Sequence, residues 1–524
     1  MSEAETAKGG RRRRGGGRAG NTRGKTGLAT EQPAWTLPKN IDRPTEPLTP
    51  EGVERLHDAT MRIIETIGIE FLNHEALEIL RASGGCIING ENVRMERDFV
   101  MEMVGKAPSS FTMTPRNLDR KITIGDGNIL FGNVSSPPNY WDLELGKKVS
   151  GTREQCANLL KLSQHFNCIH FVGGYPVEPV DVHASVRHLD VLYDKLTLTD
   201  KVAHAYSLGE ERVEDVMEMV RIAGGLTHEE FNASPRMYTN INSTSPLKHD
   251  IPMLDGWMRL ARRGQGLVVT PFTLAGAMAP VTMAGAVAQS LAEGLTAIVL
   301  AQIINPGAPC AIGTFTSNVD MKSGAPAFGT PEYMRATQMT GQMARFYDLP
   351  MRSSGVCAAN VPDGQAMWET EHSLWAAIQS GTNMVYHAAG WLEGGLIASP
   401  EKFIMDCEVI NQLIRYLDPS ICDVSEDALA VDAIAEVGPE GHFFGIQHTQ
   451  DRYETAFYQP SLSDWKNYEA WEAGGAIWTP ERAHAQFKQI IHEFEAPEMD
   501  VAIRDELADF VARRKSEGGA PTDF

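Results

Sequence analysis

Aromatic and neutral polar side chains follow several short apolar runs of the sequence, at points where strands would end. We take as candidate substrate contacts Tyr175, Asn240, Asn242, Phe272, Phe315, Thr316, Tyr386, His387 and Trp391. Each aromatic face offers ~0.5–2 kcal/mol to a cation without hydrogen-bond donors, such as a quaternary ammonium. The set lacks the lysine, the arginine clamp and the paired carboxylates of phosphate binding, Schiff-base chemistry or glycoside hydrolysis. The alternative is that these rings only fill a core, as most single aromatics do.

Two pairs of cysteine and histidine could form a metal or nucleophile site. Cys168 and His170 alternate on a predicted strand, which would place both on one face, and Cys357 and His387 end neighbouring strands. A thiolate beside an imidazole can bind zinc or act as a nucleophile. Because nothing supplies an obvious third and fourth ligand, we predict no metal and no catalytic side chain, and interpret Cys357 and His387 as polar groups of a pocket.

These side chains need a scaffold that brings distant segments together, and the chain from about residue 129 supplies one by alternating β-rich and amphipathic runs. The predicted strands are 129–134, 168–173, 201–207, 236–242, 266–272, 309–315, 351–357 and 382–388. The predicted helices are 152–166, 184–196, 209–223, 250–263, 281–304, 331–347, 365–380 and 400–417. Eight such units predict an α/β protein with a closed (β/α)8 TIM barrel and a site at the carboxyl ends of its strands.

The competing architecture is an open doubly wound sheet, which usually carries a glycine-rich phosphate turn, and neither GxGxxG nor GxxxxGK[ST] occurs here. We predict four parts in the chain. They are a disordered, basic Gly/Arg-rich arm (1–35), an N-terminal α+β cap (36–125), the barrel (126–420) and a C-terminal helical extension packed on the barrel (421–524).

Charge is unevenly distributed along the 524 residues. The formal net charge is −21, but residues 1–30 carry +6, which leaves −27 for the rest. An acidic body repels a phosphate backbone, so we expect no nucleic acid ligand. Seven scattered cysteines without a CxxC pair are typical of a reducing compartment, and we predict a cytoplasmic protein. Prolines divide the weakly charged stretch 263–320, so we predict a buried strand–helix–strand passage there and no membrane span.

Six runs of the sequence resemble the trimethylamine methyltransferase family, and the resemblance extends almost colinearly from about residue 45 to 510. The runs are TSPL (244–247), GLTAIVLAQIINPGAP (294–309), GAPAFGTPE (324–332), FYDLP (346–350), VPDGQAMWE (361–369) and EKFIMDCEVI (401–410). Members of this family are corrinoid-dependent Co-methyltransferases with a (β/α)8 barrel. The resemblance therefore implies methyl transfer to the cobalt(I) of a corrinoid that a cognate partner protein carries, with no cofactor bound tightly by this chain.

The sequence departs from the archaeal members at one position. Those enzymes carry a pyrrolysine at the end of the seventh strand, where this chain has Val356, or Cys357 if a gap is placed differently. Gln365 and Glu369 match the Gln and Glu of the family motif and lie one helical turn apart, so both could face the end of that strand. The alternative is that they only cap and solubilise the helix.

The missing pyrrolysine bears on the substrate. A quaternary ammonium already has a neutral tertiary amine as its leaving group, so its demethylation needs no special residue and no general acid. Family members that lack pyrrolysine are associated with quaternary amines such as glycine betaine, whose carboxylate could be received by Asn240, Asn242, Thr316, His387 or a backbone nest. We predict a methyltransferase that moves a methyl group from a glycine betaine-like amine to a corrinoid protein. The alternatives are trimethylamine as the substrate, or a non-catalytic amine-binding protein, and a homo-oligomer is possible.

Overall fold

Eight parallel strands close into a barrel at the centre of the computed structural model, which describes residues 32–522. The strands are β1 (Leu130–Asn133), β2 (Phe171–Val172), β3 (Val202–Ala205), β4 (Met237–Ile241), β5 (Gly266–Val269), β6 (Cys310–Gly313), β7 (Met351–Ser354) and β8 (Met384–Ala389). Each strand pairs with the next along the chain, and β8 pairs with β1. The predicted TIM barrel is confirmed. Residues 1–31 of the predicted arm lie outside the described residues.

A helix follows each barrel strand and covers the outside of the sheet. The helices are α1 (Arg153–His165), α2 (Ala184–Leu198), α3 (Glu210–Ala223), α4 (Ile251–Arg262), α5 (Met283–Ile304), α6 (Pro331–Phe346), α7 (Gly364–Ser380) and α8 (Pro400–Tyr416). Side-chain caps fix where several of them begin, for example Thr152, Asp250 and Thr330, because the cap oxygen accepts a backbone N–H that the helix leaves unpaired.

The second strand is shorter than predicted. Cys168 and His170 precede β2 rather than alternating along it. The His170 amide donates to the Phe131 carbonyl at 2.7 Å, but the Phe131 amide donates to the His170 ring Nδ1 instead of a backbone carbonyl, so the regular ladder begins only after His170. The prediction that Cys168 and His170 share a strand face is therefore wrong. At the β1–β2 contact a Cβ on Gly132 would stand 2.2 Å from the Phe171 ring, so only glycine allows these strands to approach.

Before the barrel the chain forms a small α+β unit. Its three α-helices are Pro50–Arg62, His74–Ala82 and Arg97–Val104. The first of them continues as a π-helix over Ile63–Ile67. Its strands Ile69–Phe71, Cys86–Asn89 and Asn92–Met95 form one sheet with Lys248–His249, which comes from the connection after β4. The hairpin Phe111–Met113 and Ile122–Ile124 packs against the barrel interior and closes its amino-terminal end.

After α8 the chain runs through short helices and then packs two long helices on the barrel. Thr479–Glu493 packs against α8 and α1, and Val501–Ser516 packs against α2 and α3. The N-terminal α+β cap and the C-terminal helical extension are thus present, while the boundaries drawn between them and the barrel stay predictions.

Helix α5 explains the weakly charged stretch of the sequence. Within residues 32–522 it is the one helix that is long and apolar enough to cross a membrane, and 89% of its most apolar window is buried inside the protein. The apolar composition therefore follows from packing on all sides of the helix.

Candidate active site

A cavity of about 350 Å³ opens at the carboxyl ends of the barrel strands, where TIM barrels hold their active sites. Its size is within the range of small-molecule sites. The lining residues are Ser135, Ser136, His204, Tyr206, Ser207, Leu208, Asn240, Asn242, Met253, Phe272, Phe315, Arg352, Tyr386, His387, Trp391, Gly394 and Gly395.

Seven of the residues that the sequence singled out line this cavity. They are Asn240, Asn242, Phe272, Phe315, Tyr386, His387 and Trp391. Phe315 is at the centre of the aromatic group, because its ring centroid lies 5.1 Å from Phe272, 5.9 Å from His387 and 6.0 Å from Trp391. The rings form a continuous aromatic wall on one side of the cavity.

Two other predicted contacts lie behind the cavity wall. Tyr175 packs on Tyr206, with 4.3 Å between the ring centroids, and it is Tyr206 that reaches the cavity. Thr316 is buried, and its hydroxyl lies 2.6 Å from that of Thr273. Neither side chain lines the cavity.

Val356 and Cys357, at the position of the family's pyrrolysine, are buried in the core next to the cavity. The Cys357 thiol donates to the Trp391 carbonyl at 3.0 Å, and the Trp391 indole N–H donates to the Cys357 carbonyl at 3.2 Å. Burial raises the pKa of the Cys357 thiol to about 12, so the thiol is protonated at neutral pH. Within residues 32–522 no group of three or more His, Cys, Asp or Glu side chains could hold a metal.

Gln365 and Glu369 hold the loop that follows β7. One Glu369 carboxylate oxygen accepts the amides of Ala358 and Ala359 at 2.8 and 3.0 Å, and the other accepts the Gln365 side-chain amide at 2.9 Å. Neither side chain lines the cavity. The pair therefore faces the end of strand seven as expected, but it acts on the loop backbone.

An arginine in the cavity wall contradicts the expectation of a mouth without an arginine. Arg352 lies within β7, is 2% exposed, and forms no ion pair with any described carboxylate. Its guanidinium carbon lies 4.3 Å from the Tyr386 ring centroid and 5.4 Å from that of Phe315. Burial lowers the pKa of Arg352 to about 10, so the group is still a cation at neutral pH.

The cavity wall holds several hydrogen-bond donors without acceptors. Arg352 Nη2 lies 3.4 Å from His387 Nε2, whereas Arg352 Nε and Nη1 have no partner in the described structure. His204 Nε2 accepts the Asn240 amide at 3.1 Å. Since Nε2 of each histidine faces a donor, each neutral ring carries its proton on Nδ1, and both Nδ1 atoms also lack a partner. Buried donors without acceptors indicate a ligand that brings acceptor atoms.

His387 is held in an unusual conformation. Its φ is +53°, a left-handed value that non-glycine residues adopt rarely, and its ring lies against Trp391 with 4.2 Å between centroids. Burial and the nearby Arg352 and His204 hold the pKa of His387 well below its usual range. The ring is therefore neutral at physiological pH.

A buried glutamate positions the loop after β4. Glu293, on α5, is fully buried and accepts the Ser243 hydroxyl, the Ser245 hydroxyl at 2.6 Å and the Leu247 amide at 2.8 Å. This loop follows Asn242 at the cavity. The only charge between residues 264 and 319 is thus used to hold the TSPL run in place.

The EKFIMD run of α8 positions the connection after β8. Lys402 and Asp406 form a fully buried ion pair, and the other Asp406 oxygen accepts the Gly390 amide at 2.9 Å. The Lys402 ammonium also donates to the Thr370 hydroxyl at 2.9 Å. Gly390 lies between His387 and Trp391, so this pair fixes the backbone that carries both cavity residues.

Six exposed apolar side chains lie on the face of the barrel that carries the cavity opening, in the connections after the last five barrel strands or in the first two turns of the helices that follow. They are Ile251, Met278, Val281, Met321, Trp368 and Leu396. Val281 and Met321 are 69% and 73% exposed. We call these six residues the rim, and an apolar rim around a cavity is typical of a surface that a partner covers.

Comparisons with known proteins show the family of the chain. A profile of the trimethylamine methyltransferase (MTTB) family matches residues 13–519. A glycine betaine methyltransferase of Desulfitobacterium hafniense is 37% identical over 90% of this chain and 98% of its own length. A proline betaine:corrinoid methyltransferase of Eubacterium limosum is 27% identical over 75% of this chain and 81% of its own. A trimethylamine methyltransferase MttB of Methanosarcina thermophila is 26% identical over 88% and 95%.

The same fold occurs in a crystal structure of the hydroxylamine MtmB complex. That chain superposes with a TM-score of 0.52 at 10% identity, over 89% of this chain and 88% of the other. This likeness shows the TIM-barrel fold, and the family profile shows that the chain is a methyltransferase built on it. The chain belongs to the trimethylamine methyltransferase family, as the six sequence runs predicted.

Proposed function

We propose that this protein transfers a methyl group from glycine betaine, or a betaine of similar size, to a corrinoid that a partner protein presents. The observation that carries the proposal is Arg352, a buried cation without a carboxylate partner in the described structure, next to an aromatic wall. A zwitterion with a carboxylate at one end and a quaternary ammonium at the other complements both features.

The carboxylate end would pair with Arg352. A buried charge is costly unless it is paired, and a carboxylate accepts the two parallel N–H groups that a guanidinium offers. The Nδ1–H groups of His204 and His387 are further donors in the same wall. These groups extend the sequence prediction, which named Asn240, Asn242, Thr316 and His387 as receivers of the carboxylate.

The ammonium end would lie against the aromatic wall of Phe272, Phe315 and Trp391. A quaternary ammonium has no N–H to donate, so ring faces recognise it better than hydrogen-bond acceptors do. With the substrate carboxylate paired to Arg352, this negative charge lies between the Arg352 guanidinium and the substrate ammonium.

The reaction requires little chemistry from the barrel. When the acceptor attacks an N-methyl group, the electrons of the C–N bond remain on nitrogen and leave a neutral tertiary amine. No proton has to be supplied, which agrees with the neutral His387 and the protonated Cys357. The nucleophile is the cobalt(I) of the partner's corrinoid, a co-substrate, and the barrel orients the methyl group and excludes water.

The rim gives the partner a docking surface around the opening. This apolar surface supports the prediction that a cognate corrinoid protein covers the mouth. The Eubacterium limosum relative is named as a methyltransferase whose methyl acceptor is a corrinoid, which supports the same prediction. Localisation in the cytoplasm stays a prediction; all seven cysteines are free thiols.

Calorimetry with three matched amines tests the substrate. Glycine betaine carries both the quaternary ammonium and the carboxylate. Choline keeps the quaternary ammonium but has no carboxylate, and trimethylamine lacks the whole carboxymethyl group on nitrogen. We expect glycine betaine to bind at least about 100-fold more tightly than the other two, the range that one buried charge pair supplies. Equal binding of choline would contradict the role of Arg352, and tighter binding of trimethylamine would favour the alternative substrate.

Turnover separates an enzyme from an amine-binding protein. With chemically reduced cob(I)alamin as acceptor, glycine betaine should yield dimethylglycine, detected by mass spectrometry. If glycine betaine binds but no dimethylglycine forms, neither with free cob(I)alamin nor with the cognate corrinoid protein, the result would favour a non-catalytic amine-binding protein.

A further inference from the structure

A second cavity lies at the amino-terminal end of the barrel, opposite the active site. Its volume is about 550 Å³, which is within the range of small-molecule sites. It is lined by residues 33–41 before β1, residues 167–170 before β2, the last turns of α8 with the connection that follows, and Tyr458. Because the reaction takes place at the carboxyl ends of the strands, a molecule in this cavity is remote from the active site.

Much of the cavity wall is apolar. The apolar side chains that line it include Leu37, Pro38, Ile414, Leu417 and Pro419. Ligand sites combine such apolar walls with a small number of polar groups that fix the orientation of the bound molecule. The polar groups of this wall therefore decide which ligand fits.

Two polar side chains of the wall already have partners within the fold. The His170 ring accepts the Phe131 amide at Nδ1, at 3.1 Å, and its Nε2 lies 3.0 Å from the Thr36 carbonyl. The Asn167 side chain donates to the Pro33 carbonyl at 2.9 Å. Both ring nitrogens of His170 are thus occupied, so this histidine supports the wall and is not a metal ligand.

The charged groups of the wall favour a neutral ligand. Arg415 forms an ion pair with Asp418, so these two charges compensate each other. Lys39 is exposed, so water solvates its ammonium. An ion that left water for this apolar wall would find no free buried counter-charge, which makes its binding costly.

One buried polar side chain of the wall has no partner. Asn411, on α8, lines the cavity and is 7% exposed, and no described residue forms a hydrogen bond with its side-chain amide. An asparagine amide offers two N–H donors and one acceptor oxygen, and buried groups of this kind are normally hydrogen-bonded. A ligand that brings both a donor and an acceptor would satisfy the Asn411 amide.

We infer that this cavity binds a small, neutral, ring-containing molecule with a hydrogen-bond donor next to an acceptor, as in a primary carboxamide or the amino edge of a purine. The Asn411 amide pairs with such an edge through two parallel hydrogen bonds, as asparagine does with adenine. The apolar wall then covers the ring. A molecule of the same shape without the donor leaves the Asn411 oxygen unsatisfied. The inference does not depend on the identity of the methyl donor.

Saturation-transfer NMR on the full chain tests the inference with three probes of nearly the same shape. Nicotinamide carries a carboxamide, 3-acetylpyridine has a methyl group in place of the amide nitrogen, and nicotinate has a charged oxygen there. We expect nicotinamide to bind about 3-fold to 30-fold more tightly than the other two, and an excess of glycine betaine should not displace it.

Three results of this experiment would overturn the inference. Equal or tighter binding of 3-acetylpyridine would mean that Asn411 does not select the ligand. Displacement of nicotinamide by glycine betaine would place the probe in the active site. Binding of none of the probes is the result expected if residues 1–31 or water fill the cavity.

The variant Asn411→Leu isolates the role of the amide, because leucine has nearly the same shape and no polar group. The advantage of nicotinamide over 3-acetylpyridine should disappear in this variant. The matched control is Asn158→Leu, which replaces a half-buried asparagine of α1 that does not line the cavity and should keep the advantage. If the advantage persists in Asn411→Leu, or disappears in both variants, Asn411 is not the binding group.

A second variant keeps the test independent of misfolding. Ala34 lines the cavity but is exposed, so Ala34→Trp narrows the opening without changing the core. The thermal unfolding midpoint should equal that of the wild type, whereas nicotinamide binding should weaken severalfold. Unchanged nicotinamide binding in a folded Ala34→Trp protein would show that the probe binds elsewhere.

Discussion

Two buried cations at opposite ends of the barrel show how the site differs from the scaffold. Lys201, just before β3, is 3% exposed and donates to the carbonyls of Ser163 and Phe166 at 2.6 and 2.8 Å. Arg352, within β7, is 2% exposed, and its Nε and Nη1 have no partner in the described structure. Burial lowers the pKa of both groups, to about 7 for Lys201 and about 10 for Arg352.

The two cations are equally buried but differ in the acceptors around them. Lys201 joins the end of α1 to the start of β3 and has its acceptors within the fold, so its hydrogen bonds contribute to the barrel's own stability. Arg352 is left without a carboxylate at the cavity, where a ligand can supply one. Unpaired buried charge therefore distinguishes the site from the scaffold better than burial or aromatic content does.

The largest expected effect is the loss of binding when Arg352 is replaced. Arg352→Met should weaken glycine betaine binding at least about 100-fold, because the substrate carboxylate would then be buried without a counter-charge. The same change should leave the thermal unfolding midpoint unchanged or raise it, since it removes an unpaired buried cation. Calorimetry and thermal unfolding measure the two quantities. A variant with normal affinity would show that the carboxylate binds elsewhere.

Replacing the scaffold cation should have the opposite pattern. Lys201→Met leaves two buried carbonyls without their donor, at about 1–3 kcal/mol each, so the free energy of unfolding in urea should fall by about 2–6 kcal/mol. Glycine betaine affinity of the folded protein should stay within about twofold. If Lys201→Met and Arg352→Met change stability in the same direction, the contrast between the two cations does not hold.

A smaller effect should follow from removing one ring of the aromatic wall. Phe272→Leu keeps apolar volume but loses a ring face, which is worth ~0.5–2 kcal/mol to a cation, so affinity should fall about 3-fold to 30-fold. Phe328→Leu is the matched control, because Phe328 also packs on Phe315, with 5.3 Å between centroids, but does not line the cavity. Equal losses in the two variants would mean that the wall matters for packing alone.

The smallest effect is on pH dependence and concerns the buried histidines. Burial lowers the pKa of His170 to about 3 and that of His249 to about 4, and holds His204 and His387 well below the usual value. The unfolded chain binds protons near pH 6.5 while the folded chain does not, so stability is lost as pH falls below 6.5. Between pH 7.5 and pH 6.0, each of these four histidines should lower the free energy of unfolding by about 0.8 kcal/mol.

Single substitutions isolate one histidine from this pH effect. The free energy of unfolding is measured by urea unfolding followed by fluorescence. For His387→Gln, its decrease between pH 7.5 and pH 6.0 should be smaller than in the wild type by about 0.8 kcal/mol, the contribution of one histidine. His74→Gln is the control, since the His74 side chain is 85% exposed and should leave the slope unchanged. Asp406, whose pKa burial raises to about 6, acts in the opposite direction mainly below pH 6, which is why the comparison stops there.

Most of the fold could be read from local patterns. Seven of the eight barrel strands lie within the predicted runs, and β8 extends one residue beyond its run; α2 and α8 differ from their predicted ranges by at most two residues at either end. Such agreement is expected where strands are buried on both faces and helices begin at capping side chains. The exception is β2, where the His170 ring takes the place of a ladder partner, which no periodicity reveals.

The site was harder to predict than the fold. The residues ending β4, β5, β6 and β8 were found because aromatics and amides at strand ends are visible in the sequence. Arg352 was missed, although it stands inside a predicted strand while Lys201 and Arg236 stand at the first position of theirs. A charge inside a strand that is buried on both faces is the signal that could have identified it.

The sequence by itself determined the barrel and the family, because strand and helix periods and local motifs are encoded in neighbouring residues. Only the tertiary structure decided which charges find partners. It pairs Lys402 with Asp406 and surrounds Glu293 with donors, but leaves Arg352 without a carboxylate in the described structure. Pairing depends on distances between segments that are far apart in the chain, and those distances exist only once the barrel has closed.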